Sequence, residues 1–299
     1  MSIFETAKIM IVDFHTHMFP SDVIKNPEKY CKLDPYFGIL ANPKHTLQRY
    51  ADCEKALALA DEAGVEKIVM QGWYWQDHGL CKYHNDYMYE LINKYPERFT
   101  AFASINPRFG RQAIAEMERC REMGFAGLGE MGPGGQGWGL NDKDFLTLME
   151  AAAKCDMLVS IHAGEPVGRV YPGKDTTALQ GFYELVKRLP DLKLILAHWG
   201  GGLPFYELMP CVSKAFTNVY YDTAASPLLY KTDVFKTVTA IVGAKKILFG
   251  SDFPLLLYPK KQKEADFTMF IEDIKHQGGL KEDELKLILR ENALKLLYP

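Results

Sequence analysis

Apolar residues along this chain gather into short continuous runs, and the intervals between the runs carry helical patterns. Segments rich in Val, Ile, Leu, Phe and Tyr stand out at about 8–15, 66–71, 99–105, 125–130, 156–162, 192–198, 218–222 and 245–251. A strand covered on both faces is apolar at successive positions because neither side meets water. Helical spacing with start and stop signals covers 46–63 before Gly64, 111–123 before Gly124, 142–154, and 177–188 before Pro190. Alternating strands and helices require parallel strands joined by crossovers. Eight such units in one chain predict an α/β fold, a closed (β/α)8 TIM barrel forming a single domain over residues 1–299. Two stretches depart from that rhythm. Residues 18–43 carry Pro20, Pro27, Pro35 and Pro43 and read as an irregular insertion after the first strand, while five glycines within 131–139 exclude a regular element there. Both are expected at the barrel mouth, where loops following the strands shape a substrate site.

Four of the strand-like runs end on residues that bind metals or carry protons. His15 and His17 close the first run, two residues apart, so that on a strand both imidazoles point the same way. His162 closes the fifth, His198 the sixth, and Asp252 follows the eighth. Imidazole and carboxylate donors at one rim suit a divalent transition metal with an open coordination position. Asp252 is read both as a ligand and, with His198, as a catalytic proton-handling group. His45, His78, His84 and His276 lack this placement and are expected on the surface or in loops.

The motifs HTH at the first strand, IHAGEP at the fifth, AHWGGGLP at the sixth, FGSDFP at the eighth and the closing RENALKLL resemble the amidohydrolase superfamily. Within it they are most similar to the amidohydrolase-related group that includes aminocarboxymuconate-semialdehyde decarboxylase, and NVYYDTAAS at the seventh strand resembles that group too. The resemblance runs from about residue 10 to 297. It implies that His15, His17, His162 and Asp252 bind the catalytic metal and that His198 handles protons. At the fourth strand GEMG departs from the simplest pattern and resembles the G-E-x-G of TatD-type metal-dependent hydrolases, which makes Glu130 a candidate ligand. The alternative is that Glu130 accepts a hydrogen bond from one imidazole and orients it. Zinc is the expected ion, with manganese, iron and nickel also compatible, and one ion is expected rather than two.

Substrate-facing candidates are Trp73, which follows the second strand beside Tyr74 and Trp75, and Arg108 and Arg169, whose planar guanidinium groups suit a carboxylate. The leading reaction is hydrolysis of a small-molecule ester, lactone or amide by metal-activated water. The alternative is non-oxidative decarboxylation of a small unsaturated or aromatic carboxylic acid, which uses the same ligands. A non-catalytic barrel fits poorly because the metal and proton-handling positions are filled.

Composition removes other classes. A net charge of −3 without a concentrated Lys/Arg stripe argues against nucleic acid. No apolar stretch has the length of a membrane span, and the first residues lack the features of a secretory signal, so a cytoplasmic protein is expected. Six dispersed cysteines without a C-x-x-C pair read as reduced thiols rather than a disulfide framework. Homodimers are common among proteins of this type, although the sequence identifies no interface.

Overall fold

The computed structural model describes residues 10–42 and 44–299. Eight parallel strands pair in sequence order: β1 (Ile11–Thr16), β2 (Val65–Gln71), β3 (Phe99–Ala103), β4 (Gly127–Met131), β5 (Leu158–Ile161), β6 (Leu194–Leu196), β7 (Val219–Asp222) and β8 (Ile247–Leu248). The first positions expected for β1, residues 8 and 9, lie outside the described residues. Backbone hydrogen bonds carry the sheet from β8 back to β1: Phe14 donates to the Phe249 carbonyl at 2.7 Å, Asp252 to His15 at 2.8 Å and His17 to Phe253 at 2.6 Å. The barrel of the (β/α)8 fold is thereby nearly closed.

Alternate strand residues divide between two cores, as the two-residue period of a strand demands. Val12, Phe14, Val69, Phe102, Leu158, Ile195 and Leu248 fill the lumen, with the Phe14 and Phe102 rings edge to face at 5.5 Å. Ile11, Ile68, Met70, Val159, Leu194 and Val219 face outward into the larger core beneath the helices. Ala293 of the closing helix Asn292–Leu297 packs on the lumen filler, and the Asn292 side chain donates to the carbonyls of Ala244 and Ile247, both at 2.8 Å. That bond pair fixes the entry into β8.

A cap sets the start of the first barrel helix. Asp52 accepts from the Lys55 amide and starts Cys53–Ala63, which ends at Gly64 with φ 79°, a left-handed stop suited to glycine. The expected helix from 46 therefore begins seven residues late. Its first part forms a clasp instead, with Gln48 bridging Leu255 and Leu256 donating to Leu47 at 3.0 Å. Arg111–Glu122, Lys143–Lys154 and Leu179–Arg188 lie where the pattern places them. The insertion is less irregular than its prolines suggest: Ser21–Lys25, Pro27–Leu33 and Pro35–Leu40 are helical turns. Pro27 and Pro35 occupy first-turn positions, where a missing N–H costs no bond. The glycine-rich loop likewise contains one turn, Pro133–Gln136. No helix among the described residues is long and apolar enough to cross a membrane.

One expectation fails outright. His84 is wholly buried within Cys81-flanked aromatic packing, not on the surface. Its Nδ1 accepts from the Trp75 indole at 3.0 Å and the Trp73 amide at 3.3 Å, while Nε2 donates to the Met18 carbonyl at 2.7 Å. Burial pushes its pKa down from 6.5 to about 4. An imidazole neutral in the fold but protonated when unfolded costs stability as pH falls below 6.5, and the loss levels off near 4. Urea unfolding at pH 7.5 and pH 5 should show a drop of about 2 kcal/mol from this group. The test is the difference between wild type and His84→Gln, whose stability should fall less over the same interval.

Candidate metal centre

His15 and His17 reach the mouth because β1 carries an extra residue. Asp13 pairs with Ile68 and Thr16 with Met70, so three steps on β1 oppose two on β2. Val12 and Phe14 face the lumen, and an unbroken alternation would turn His15 outward; the bulge brings it back in. Asp13, just before the bulge, accepts from the amides of His15 at 3.1 Å and Ser251 at 3.0 Å, with burial raising its pKa to about 7. The approach of β8 is equally tight: a Cβ on Gly250 would lie 2.6 Å from the His15 Cβ, so only glycine fits.

Each imidazole is fixed by the bond on its far nitrogen. His15 Nδ1 meets Asp222 Oδ2 at 2.8 Å, and His17 Nδ1 donates to the Gln71 carbonyl at 3.2 Å. Both Nε2 atoms turn toward each other, 3.2 Å apart. Glu130 Oε2 stands 3.6 Å from His15 Nε2 and 3.5 Å from His17 Nε2, and Asp252 Oδ1 stands 3.9 Å and 3.5 Å from the same atoms. Asp252 holds this position with φ 67°, a strained conformation for a residue with a side chain.

On the other side of Glu130, Oε1 lies 2.8 Å from His162 Nδ1 and 3.1 Å from His198 Nε2, and those two nitrogens are 3.1 Å apart. His198 Nδ1 donates to the Ala224 carbonyl at 3.0 Å. His198 and the residues after it follow a left-handed path, φ 57° at His198 and 56° at Trp199, continued by Gly200, Gly201 and Gly202.

Three carboxylates, Glu130, Asp222 and Asp252, meet four imidazoles in a region where only His162 keeps notable exposure. Such a pocket calls for positive charge. Burial works against the charged form of His15, yet Asp222 and Glu130 outweigh it and hold its pKa well above the usual range. Burial also opposes protonation of His198, while Glu130 raises its pKa to about 9. Glu130, disfavoured as an anion by burial, is held well below the usual carboxylate range by His162 and His15. The donor set fits a divalent ion. Ligands about 2.0–2.2 Å from one centre sit about 3.0–3.5 Å from each other, and the donors meet at that scale. His15, His17 and Asp252 form one group able to hold an ion, and His15, Glu130 and His198 form another.

Asp222, at the end of β7, was not singled out by the sequence, although it lies in NVYYDTAAS. Its Oδ1 accepts from the amides of His198 at 2.9 Å and Ala224 at 3.0 Å while Oδ2 takes His15. One carboxylate thus positions two site imidazoles. Asp222→Asn would turn an N–H donor toward His15 Nδ1, and metal affinity should fall roughly 10–100-fold. Competition with a chelating dye reads that change directly.

Trp73 stands at this site. Its ring is 5.3 Å from His17 and stacks on Tyr74 at 4.8 Å, and Tyr74 lies 6.0 Å from His162. Trp73 is 3% exposed and its Nε1 has no hydrogen-bond partner. The insertion packs Phe19, Phe37 and Tyr30 behind this wall. Arg108 and Arg169 are placed differently. Both are exposed, and Arg108 lines a surface cavity of about 300 Å³ with Trp138 and Asp142. Among the described residues no Lys or Arg side chain bonds to His15, His17, Glu130, His162, His198 or Asp252.

Comparison with known proteins agrees with the barrel. The family profile described as Amidohydrolase matches residues 12–298. The 2-amino-3-carboxymuconate-6-semialdehyde decarboxylase of Dictyostelium discoideum is 25% identical, with 96% of this chain and 91% of that protein covered. The crystal structure of 5-carboxyvanillate decarboxylase from Sphingomonas paucimobilis superposes with a TM-score of 0.74 at 16% identity, over 97% of this chain and 99% of that one. A dihydroxybenzoic acid decarboxylase from Polaromonas sp. JS666, with bound manganese and 2-nitroresorcinol, gives 0.68 at 18% identity, over 96% of each chain. These relatives overturn the hydrolytic expectation. They are decarboxylases, and the ligands that suggested hydrolysis do not distinguish the two reactions.

Proposed function

Because this chain belongs to the amidohydrolase family, we propose that it is a metal-dependent decarboxylase acting on a small unsaturated or aromatic carboxylic acid. The observation that carries this reading is the aromatic wall beside the metal-binding donors, Trp73 on Tyr74, with an unpaired buried indole N–H. A planar acid can stack on that wall. The activity of the Dictyostelium relative supports the reaction class.

His15, His17, Asp252 and Glu130 would hold the ion, and Asp222, bonded to His15 Nδ1, keeps His15 in the tautomer whose Nε2 is free to bind it. When bound, a divalent ion supplies a Lewis acid that anchors an anionic substrate and draws electron density from it. Zinc and manganese both suit mixed imidazole and carboxylate donors. Trp73 Nε1 donates a hydrogen bond to the substrate, and the neutral wall takes the orienting part first assigned to Arg108 and Arg169. The reaction breaks one carbon–carbon bond, leaves its electron pair on the substrate carbon and adds one proton there. His198 carries that proton on Nε2, beside Glu130 Oε1. Water is kept from the reacting face by Trp73 and Tyr74, both buried.

The test loads the protein with zinc or manganese and offers aromatic and unsaturated carboxylic acids. One equivalent of carbon dioxide should leave per substrate consumed, with one solvent deuterium entering at the vacated carbon in heavy water. Absence of carbon dioxide from every acid on a broad panel, with metal shown to be bound, overturns the assignment.

A further inference from the structure

Tyr74 carries a hydroxyl that the mechanism above leaves without a task. The residue is 7% exposed, and its ring stacks on Trp73 at 4.8 Å and stands 6.0 Å from His162. Among the described residues no hydrogen bond reaches its oxygen, whereas the neighbouring Tyr36 hydroxyl donates to the Gly173 carbonyl at 2.6 Å. We propose that Tyr74 is a further catalytic residue, whose hydroxyl donates to a substrate oxygen conjugated with the carbon that loses carbon dioxide. This inference rests on the decarboxylase reading.

The ring is wedged in place before any acid arrives. A Cβ at Gly132 would lie 2.8 Å from Tyr74 Cγ, and one at Gly135 would overlap the Tyr36 ring, so two glycines of the loop after β4 make room for both tyrosines. Tyr36 packs 6.0 Å from Tyr74, and its bond to Gly173 anchors it to the loop after β5. Burial, and after it the charge of Glu130, push the Tyr74 pKa well above 10, so the group stays a donor. Asp252 acts on it in the same sense, which puts the hydroxyl within reach of both metal-binding carboxylates.

A hydroxyl at that place acts on a charge that grows. When the carbon–carbon bond breaks, its electron pair stays on the substrate carbon and spreads onto an oxygen conjugated with it. That oxygen gains charge on the way to the transition state while the departing carboxylate loses charge, so a fixed donor lowers the barrier at the first and raises it at the second. Tyr74 keeps its own proton throughout. The proton that ends on carbon comes from His198, and the electron pair returns from the oxygen to form the new carbon–hydrogen bond. Acids without a conjugated oxygen gain nothing from the hydroxyl.

The experiment compares wild type with Tyr74→Phe, each as full-length protein loaded with zinc, on pairs of acids that differ only in a conjugated hydroxyl. For the hydroxylated member kcat should fall roughly 10²-fold, the effect of losing one such donor, while KM changes by less than about threefold. The other member should be decarboxylated at equal rates by both proteins. Bound para-nitrophenol gives a readout without turnover: its visible phenolate band should appear at a pH higher by about one unit in Tyr74→Phe than in wild type. Should that variant misfold, Gly132→Ala, whose Cβ displaces the same ring, should move both readouts in the same direction. Equal kcat for the hydroxylated acid, or an unshifted nitrophenol band, overturns the inference. Decarboxylation that ignores the substitution removes this inference and leaves the proposed function; a nitrophenol shift with no acid decarboxylated removes the function and leaves Tyr74 as a binding donor.

Discussion

His15→Ala combined with His17→Ala should leave a folded barrel that binds no metal beside Asp252 and Glu130 and releases carbon dioxide at least roughly 10³-fold more slowly than the loaded wild type. The size follows from losing a Lewis acid worth several kcal/mol of transition-state stabilisation, about 4 kcal/mol corresponding to three decades. The fold should survive because the lumen below the site is filled by Val12, Phe14, Phe102 and Leu158, none of which depends on the imidazoles. Circular dichroism and metal counting accompany the rate measurement. A double variant as active as wild type would refute the metal mechanism.

Lys246→Met should be the most destabilising single exchange outside the core. The Lys246 Nζ lies 2.8 Å from both oxygens of Glu207, and the Tyr221 hydroxyl donates to Glu207 Oε1 at 2.7 Å. The Glu207 side chain is 2% exposed, so removing its partner strands a buried charge. The expected cost is about 3 kcal/mol, the lower end of the range for such pairs because Lys246 keeps some contact with water. That corresponds to a melting temperature lower by about 5 °C for a chain of this length. Glu207→Gln added to Lys246→Met removes the stranded charge and should recover part of the loss. Thermal denaturation of the two variants checks this, and equal melting temperatures would mean that the charge itself is not what the pair neutralises. Function is involved as well, since Glu207 tethers the far end of the His198–Leu208 segment to β7. The single variant should therefore also lower turnover.

The strands were legible because parallel strands buried on both faces write themselves as apolar runs, and the site histidines were legible because they interrupt those runs at one end. Asp222 was not, since an aspartate after Val219-Tyr220-Tyr221 reads equally well as the start of a turn. His84 lies on the helix His78–Lys94, and its bonds to Trp73, Trp75 and Met18 join it to the loops after the second and first strands, which no local pattern reports. The clasp between 47–49 and 254–256 depends on pairing across about two hundred residues, while the local pattern at 46–52 favours helix. The reaction was misjudged for a chemical reason. The donors at the strand ends serve both reactions, so they could not separate attack on a carbonyl carbon from protonation of a substrate carbon; on the proposed reading that choice belongs to Trp73 and Tyr74, against which the insertion packs.

The extra residue in β1 has an implication for any shortened version of this chain. Deleting one position between Asp13 and His15 would leave enough apolar residues to rebuild the strand, and the cylinder would still assemble. With Val12 inward, plain alternation would still turn His15 and His17 to the mouth, whereas the lumen would lose the Phe14 ring that meets Phe102, so the bulge is what lets one six-residue strand supply both the filling of the cylinder and its ligands.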